Sequence, residues 1–207
     1  MDVLVRFLRT HRWARRALPA LTIALIVAAA GMLGYPFYTN LYQDRKQSEL
    51  GRQFASPKLK DAYRNGSLQV GDALTRIKIP KLGVDVVVVE GVTPAALRAG
   101  AGHYPHTPLP CEAGNVAIAG HRTTYGKPFA NVDRLAPGDT IILETPVGSC
   151  TYEITREPFI TTPKDTSVVA NDVAASTLTL TSCHPKHSAK QRIIIKATMA
   201  KGSKTTA

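Results

Sequence analysis

The sequence predicts a mainly β domain, an antiparallel barrel or sandwich, carried behind a single N-terminal apolar helix. The first observation behind this is a series of short β-branched runs punctuated by Gly, Pro, Asn and Asp. The second is an uncharged stretch from Ala17 to Gln43. The third is the run T-L-T-L-T-S-C-H-P, Thr177 to Pro185, followed by Q-R-I-I-I-K from Gln191. It delivers a cysteine at the end of one strand and an arginine at the start of the next. A length of 207 residues suits one domain of ordinary size with an appendage.

In chain order, Arg6, Arg9, Arg12, Arg15 and Arg16 precede the apolar stretch. By the positive-inside rule they hold the N-terminus in the cytoplasm. The stretch is about as long as the roughly 20 residues a spanning helix needs. Tyr35, Phe37 and Tyr38 suit the headgroup level, and Pro36 marks the expected helix exit. An uncleaved signal-anchor is the favoured reading. A cleaved signal peptide, with Ala28 and Ala30 as a small-x-small site, is the alternative. The expected organisation is a basic cytoplasmic segment 1–16, a membrane segment 17–38, a partly helical extracellular stalk 39–71, a β domain 72–200 and a flexible tail 201–207. The stalk carries few large apolar residues and is expected to bury little surface.

Strands are expected at Leu74–Ile79, Val84–Glu90, Asn115–Ala119, Thr140–Glu144, Thr151–Phe159, Thr177–Thr181 and Arg192–Thr198. Turns are signalled by P-K-L-G, A-P-G-D and T-P-V-G-S. T-P-A-A-L-R at Thr93–Arg98 predicts a short helix with a threonine N-cap and a first-turn proline. A second is expected in P-F-A-N-V after Pro128. Val86 to Val89 show no alternation, so that strand is expected to be covered on both faces.

The formal charge of +11 does not point to nucleic acid. Much of the excess precedes the apolar stretch, where it orients the helix and meets anionic lipid, and no nucleic-acid motif follows. There are 3 cysteines. In an oxidising compartment a Cys111–Cys150 disulfide with Cys183 free is one reading, and three independent thiols the other.

N-V-A-I-A-G-H ends the strand from Asn115 in His121. A thiol, an imidazole and a guanidinium thus each sit at a strand terminus, a rigid mount. They are the inventory for acyl transfer through a thioester. The bland alternative for a lone cysteine is a small buried hydrophobe.

At these residues the sequence resembles the sortases, membrane-anchored cysteine transpeptidases, and is most similar to class E. T-L-T-S-C at Thr179–Cys183 matches the family's T-L-x-T-C, with Ser182 where threonine is usual. Arg192 matches the downstream arginine. G-H-R-T-T-Y-G at Gly120–Gly126 and G-H-Y-P at Gly102–Pro105 are close to the class E pattern. The match covers roughly Asp72 to Met199.

The resemblance implies an eight-stranded β-barrel with Cys183 as nucleophile, His121 as acid/base and Arg192 as stabiliser. A nearby imidazolium and guanidinium would favour the thiolate, and Arg192 would give rigid donors to an oxyanion or to substrate carbonyls. It further implies cleavage of an L-A-x-T-G or L-P-x-T-G sorting signal between Thr and Gly on secreted proteins. A peptidoglycan amine then resolves the thioester. Tyr104, Thr181 and Ser182 are the expected substrate-binding residues. Tyr104 would read the alanine, because its hydroxyl can bond a backbone amide that proline lacks. The remaining histidines, His103, His106, His184 and His187, are expected on loops at the cleft rim. Cys183, His184 and His187 are too tightly spaced to make a zinc site, and no metal or organic cofactor is implied. Two rivals remain: an anchored thiol hydrolase with water as acceptor, and a non-catalytic envelope scaffold.

Overall fold

The computed structural model describes residues 12–171 and 175–206. The N-terminal arginines Arg6 and Arg9 lie outside the described residues. The chain divides into two units, Met1–Thr39 and Asn40–Ala207. Helix α1, Arg12–Phe54, runs through the boundary. In the first unit it exposes large apolar side chains, among them Leu25, Ile26, Leu33 and Phe37. It is the one helix among the described residues long and apolar enough to cross a membrane.

Pro36 does not end the helix, which continues to Phe54. An internal proline removes one backbone hydrogen bond. The polar sequence beyond it still propagates the helix, because residues from Gln43 onward pack on the second unit. Gln43 and Leu50 are buried there, as are Leu59 and Tyr63 of α2, Pro57–Arg64. The expected stalk is therefore part of the globular unit. Its few apolar residues are spaced to meet one face, which composition alone did not show.

The strands are β1 Ala73–Ile79, β2 Val84–Glu90, β3 Ala101–His103, β4 Gly114–Ala119, β5 Thr140–Thr145, β6 Gly148–Ile154, β7 Phe159–Thr161, β8 Ser176–His184, β9 Gln191–Met199 and β10 Thr205–Thr206. In the order β6-β5-β1-β2-β3-β4-β8-β9 they form a ring that the β6–β9 pairing closes. This is an eight-stranded barrel. The β7 and β10 strands flank β9 and β6.

Several expectations need correction. The sheet is mixed, since β2–β3 and β4–β8 pair in parallel. The run expected from Thr151 to Phe159 breaks before Pro158, which has no N–H for a ladder. Its halves, β6 and β7, pair with different parts of β9. The segment after Pro128 forms turns and a 3₁₀ turn at Val132–Arg134 rather than a helix. In the tail, Thr205 and Thr206 pair with β6.

Helix α3, Pro94–Ala99, is capped as its sequence predicts, with the Ala96 N–H donating to Thr93 Oγ1 at 3.2 Å. The double covering of β2 is also observed. Val86 and Val88 pack with the barrel interior, while Val87 and Val89 pack beneath Leu50 and Leu59. Each buried valine contributes on the order of 1.5–3 kcal/mol relative to exposure, so the helices seal a sheet face that would otherwise be apolar and open.

Candidate active site

Strand register assembles the site. The β4 and β8 strands run parallel with Ala119 opposite Thr181, and the Gly120 N–H donates to Thr181 O at 3.1 Å. Extending that register sets His121 beside Cys183. On the other side of β8, Cys183 lies opposite Arg192 of antiparallel β9. Neighbouring strands are about 4.8 Å apart, so the three residues share one rung. Side chains alternate between faces. Val116, Ile118, Leu178, Leu180, Ile193 and Ile195 fill the interior. The alternation therefore sends His121, Cys183 and Arg192 to the outer face.

Ser182 takes the opposite parity and is buried at 4% exposure. A buried hydroxyl needs a partner, and Ser182 Oγ donates to Gly120 O at 2.7 Å. Its hydroxyl ties β8 to the end of β4, one residue before both Cys183 and His121. Gly120 has no room for a side chain, since a Cβ would meet the ring of Phe129 at 2.5 Å. Phe129 is fully buried, and its N–H donates to His121 O at 3.2 Å.

Arg122, which sequence reading passed over, is buried at 4% exposure. Its Nε donates to Ala130 O at 3.0 Å and its Nη2 to Asp133 Oδ1 at 2.9 Å. It ties the start of the connection after His121 to the later part of the same connection. The signal lay inside G-H-R-T-T-Y-G, but which member of that motif is buried depends on tertiary contacts.

Burial, and secondarily the positive charge of Arg98, hold the His121 imidazole below its ordinary pKa. Cys183 is a half-buried free thiol. Arg192 Nη1 donates to Ala189 O and Gln191 O, each at 3.0 Å, so the β8–β9 connection fixes one edge of the guanidinium. Among the described residues, no hydrogen bond joins Arg192 to Cys183 or His121.

Tyr104 Oη and Thr181 Oγ1 lie 3.1 Å apart within hydrogen-bond reach. Thr181 faces outward, one step along the strand face from Cys183, but is only 4% exposed. His103 is not a rim residue. It is 1% exposed, with Nδ1 2.8 Å from Glu90 Oε2 and Nε2 2.9 Å from Pro108 O. It belongs to β3, a strand too short to show a period in the sequence. His106 and His187 are exposed, and His184 ends β8 half-buried. Cys111 and Cys150 form a disulfide with Cα atoms 5.6 Å apart, away from the outward-facing rung.

Residues 77–200 match the model of the sortase domain, and the chain belongs to the sortase family, whose members are cysteine transpeptidases. Among curated relatives, sortase SrtE1 of Streptomyces coelicolor is 31% identical over 193 residues, covering 84% of this chain and 55% of the relative. The chain thus spans about half the length of that relative. A solved structure of a Clostridium perfringens sortase D5 transpeptidase has a TM-score of 0.67 at 32% identity, covering 77% of this chain and 98% of that one. Sortase E1 of Streptomyces coelicolor, solved with a tripeptide in its active site, has a TM-score of 0.59 at 30% identity, covering 66% and 91%. Likeness to E-type relatives in both sequence and structure supports class E within the family.

Proposed function

We propose that this protein is an envelope transpeptidase that cuts an L-A-x-T-G or L-P-x-T-G sorting signal between Thr and Gly and joins the new carboxyl end to a peptidoglycan amine. The observation that carries this reading is the shared rung of His121, Cys183 and Arg192 on the outer face of a closed barrel. Cys183 Sγ attacks the threonine carbonyl carbon. His121, neutral at rest, takes the thiol proton and passes it to the departing glycine amine. The C–N bond breaks and a thioester remains. An acceptor amine then attacks the thioester and gives a proton to His121. His121 returns that proton to the departing sulfur, so that an amide forms and the thiol is restored.

Arg192 stabilises the oxyanion or holds substrate carbonyls through donors other than Nη1, which already faces the connection carbonyls. Tyr104 and Thr181 form a hydroxyl pair next to the rung. Tyr104 gives the signal's alanine N–H an acceptor that a proline could not use. The apolar part of α1 anchors the chain in the membrane. The preceding arginines keep the N-terminus cytoplasmic and the barrel outside.

The test presents L-A-x-T-G and L-P-x-T-G peptides to the full chain with and without a diamine. Amide product that depends on the diamine, with the alanine signal turned over faster, is expected. Hydrolysis product alone, at any diamine concentration, would contradict transfer and favour the hydrolase.

A further inference from the structure

The loop that carries His121 contains three consecutive residues in the left-handed region, Tyr125, Gly126 and Lys127, with φ of 49°, 67° and 40°. For residues other than glycine this conformation costs on the order of 1–2 kcal/mol each. Such strain persists only where the surroundings over-determine it. Here the surroundings are helix α1. The Gly126 N–H donates to Asn40 Oδ1 at 3.3 Å. Gly126 has no room for a Cβ because the amide of Gln43 lies against it, and Gln43 is 4% exposed. The Tyr42 ring meets the Tyr125 ring edge-on at 6.2 Å. The Tyr125 ring in turn lies 5.4 Å from the His121 imidazole, tilted by 37°.

The same helix stretch is fastened to the barrel one turn later. Gln47 Nε2 donates to Val87 O and Ala99 O, each at 2.9 Å, and Gln47 Oε1 accepts from the Val87 N–H at 2.7 Å. Ala99 ends α3, the helix that carries Arg98, whose guanidinium lies 5.9 Å from the centre of the Tyr125 ring. Tyr125 is thus contacted by α1, by α3 and by the imidazole.

We propose that Asn40, Tyr42 and Gln43 are positioning residues for His121: they clamp the Tyr125–Lys127 turn, and the turn sets the imidazole through the Tyr125 ring. This rests on the reading of His121 as the acid/base. It assigns catalytic consequence to residues upstream of the barrel, on the helix whose earlier part is the apolar segment. The charged and titratable groups around the imidazole are Arg98 on α3 and Tyr125 on its own loop, with Cys183 and Arg192 along the rung. Tyr42 lies beyond the Tyr125 ring. Burial contributes most to the lowered His121 pKa, so loosening the clamp admits water and raises it.

The experiment uses the full chain in detergent micelles. Tyr42→Ala should lower kcat by about 10- to 100-fold, as expected for a misplaced catalytic group, with KM for the sorting peptide unchanged. The acid limb of kcat/KM should move to higher pH, toward the ordinary histidine value, and an imidazole NMR titration of His121 should move with it. Tyr42→Phe keeps the ring and should restore kcat and both titrations. Asn40→Ala, which leaves the rings in place, should give a smaller loss of the same kind and serves if Tyr42→Ala does not fold. Wild-type kcat with an unmoved His121 titration in a folded Tyr42→Ala or Asn40→Ala variant would overturn the proposal. The NMR titration needs no turnover, so it tests the clamp separately from the role of His121. Retained turnover in His121→Ala would instead refute that role.

Discussion

Arg192 distinguishes charge from direction. Lysine would keep a positive charge near Cys183 but lose the planar fork. In the structure Nη1 already spends its hydrogens on Ala189 and Gln191 carbonyls, so the guanidinium is held in one orientation. Arg192→Lys should therefore reduce kcat by roughly 10²–10³, the loss associated with one oxyanion donor. Alkylation of Cys183 should stay fast; near-normal turnover would mean that charge alone suffices. His121 also has a consequence for stability. With its folded pKa lowered, the unfolded chain binds the proton more readily, so stability falls as pH drops below about 6.5. His121→Gln should flatten that slope in acid denaturation. The strand-end positions of Cys183, His121 and Arg192 were legible in the sequence because each ends or begins an apolar strand, whereas the roles proposed for them come from the resemblance to the sortase motifs. Tyr125 and Arg122 were not legible, because their roles come from contacts with residues 42, 98 and 133.

At the scale of elements, the site depends on how β8 is tied to β4. Ser182 is the inward-facing residue at the barrel end, and its bond to Gly120 O fixes the two strand ends that bear Cys183 and His121. Ser182→Ala should cost about 1–3 kcal/mol by stranding a buried acceptor and should lower kcat, whereas Ser182→Thr should retain both. Chemical denaturation and steady-state kinetics on the two variants check this; an unaffected Ser182→Ala would remove the tie from the account. Strands with β-branched runs were readable, and so was the capped helix after Thr93. The β3 strand was too short to show a period, and parallel pairing leaves no mark on a single strand. The helical path through Pro36 escaped because local sequence marks a proline as a stop, while Gln43, Gln47 and Leu50 supply docking that only the folded barrel offers.

At the scale of the whole molecule, one sheet closes through β6 and β9, so the outer face of β4, β8 and β9 becomes a rigid wall. Its interior is filled by branched aliphatic residues, and the Cys111–Cys150 disulfide ties the connection before β4 to β6. Leu50 and Leu59 cover the outer side of β2. The wall that these elements do not cover is the one on which we propose that the chemistry takes place. The central claim is that Cys183 carries the acyl group of the sorting signal. Intact-protein mass spectrometry of the full chain, quenched in acid during turnover of an L-A-x-T-G peptide without added amine, tests it most directly. The account predicts an adduct of the mass of the peptide through threonine, mapped to Cys183 by digestion, lost on adding hydroxylamine and absent from Cys183→Ala. An adduct on another residue, or continued peptide cleavage by Cys183→Ala, would contradict it.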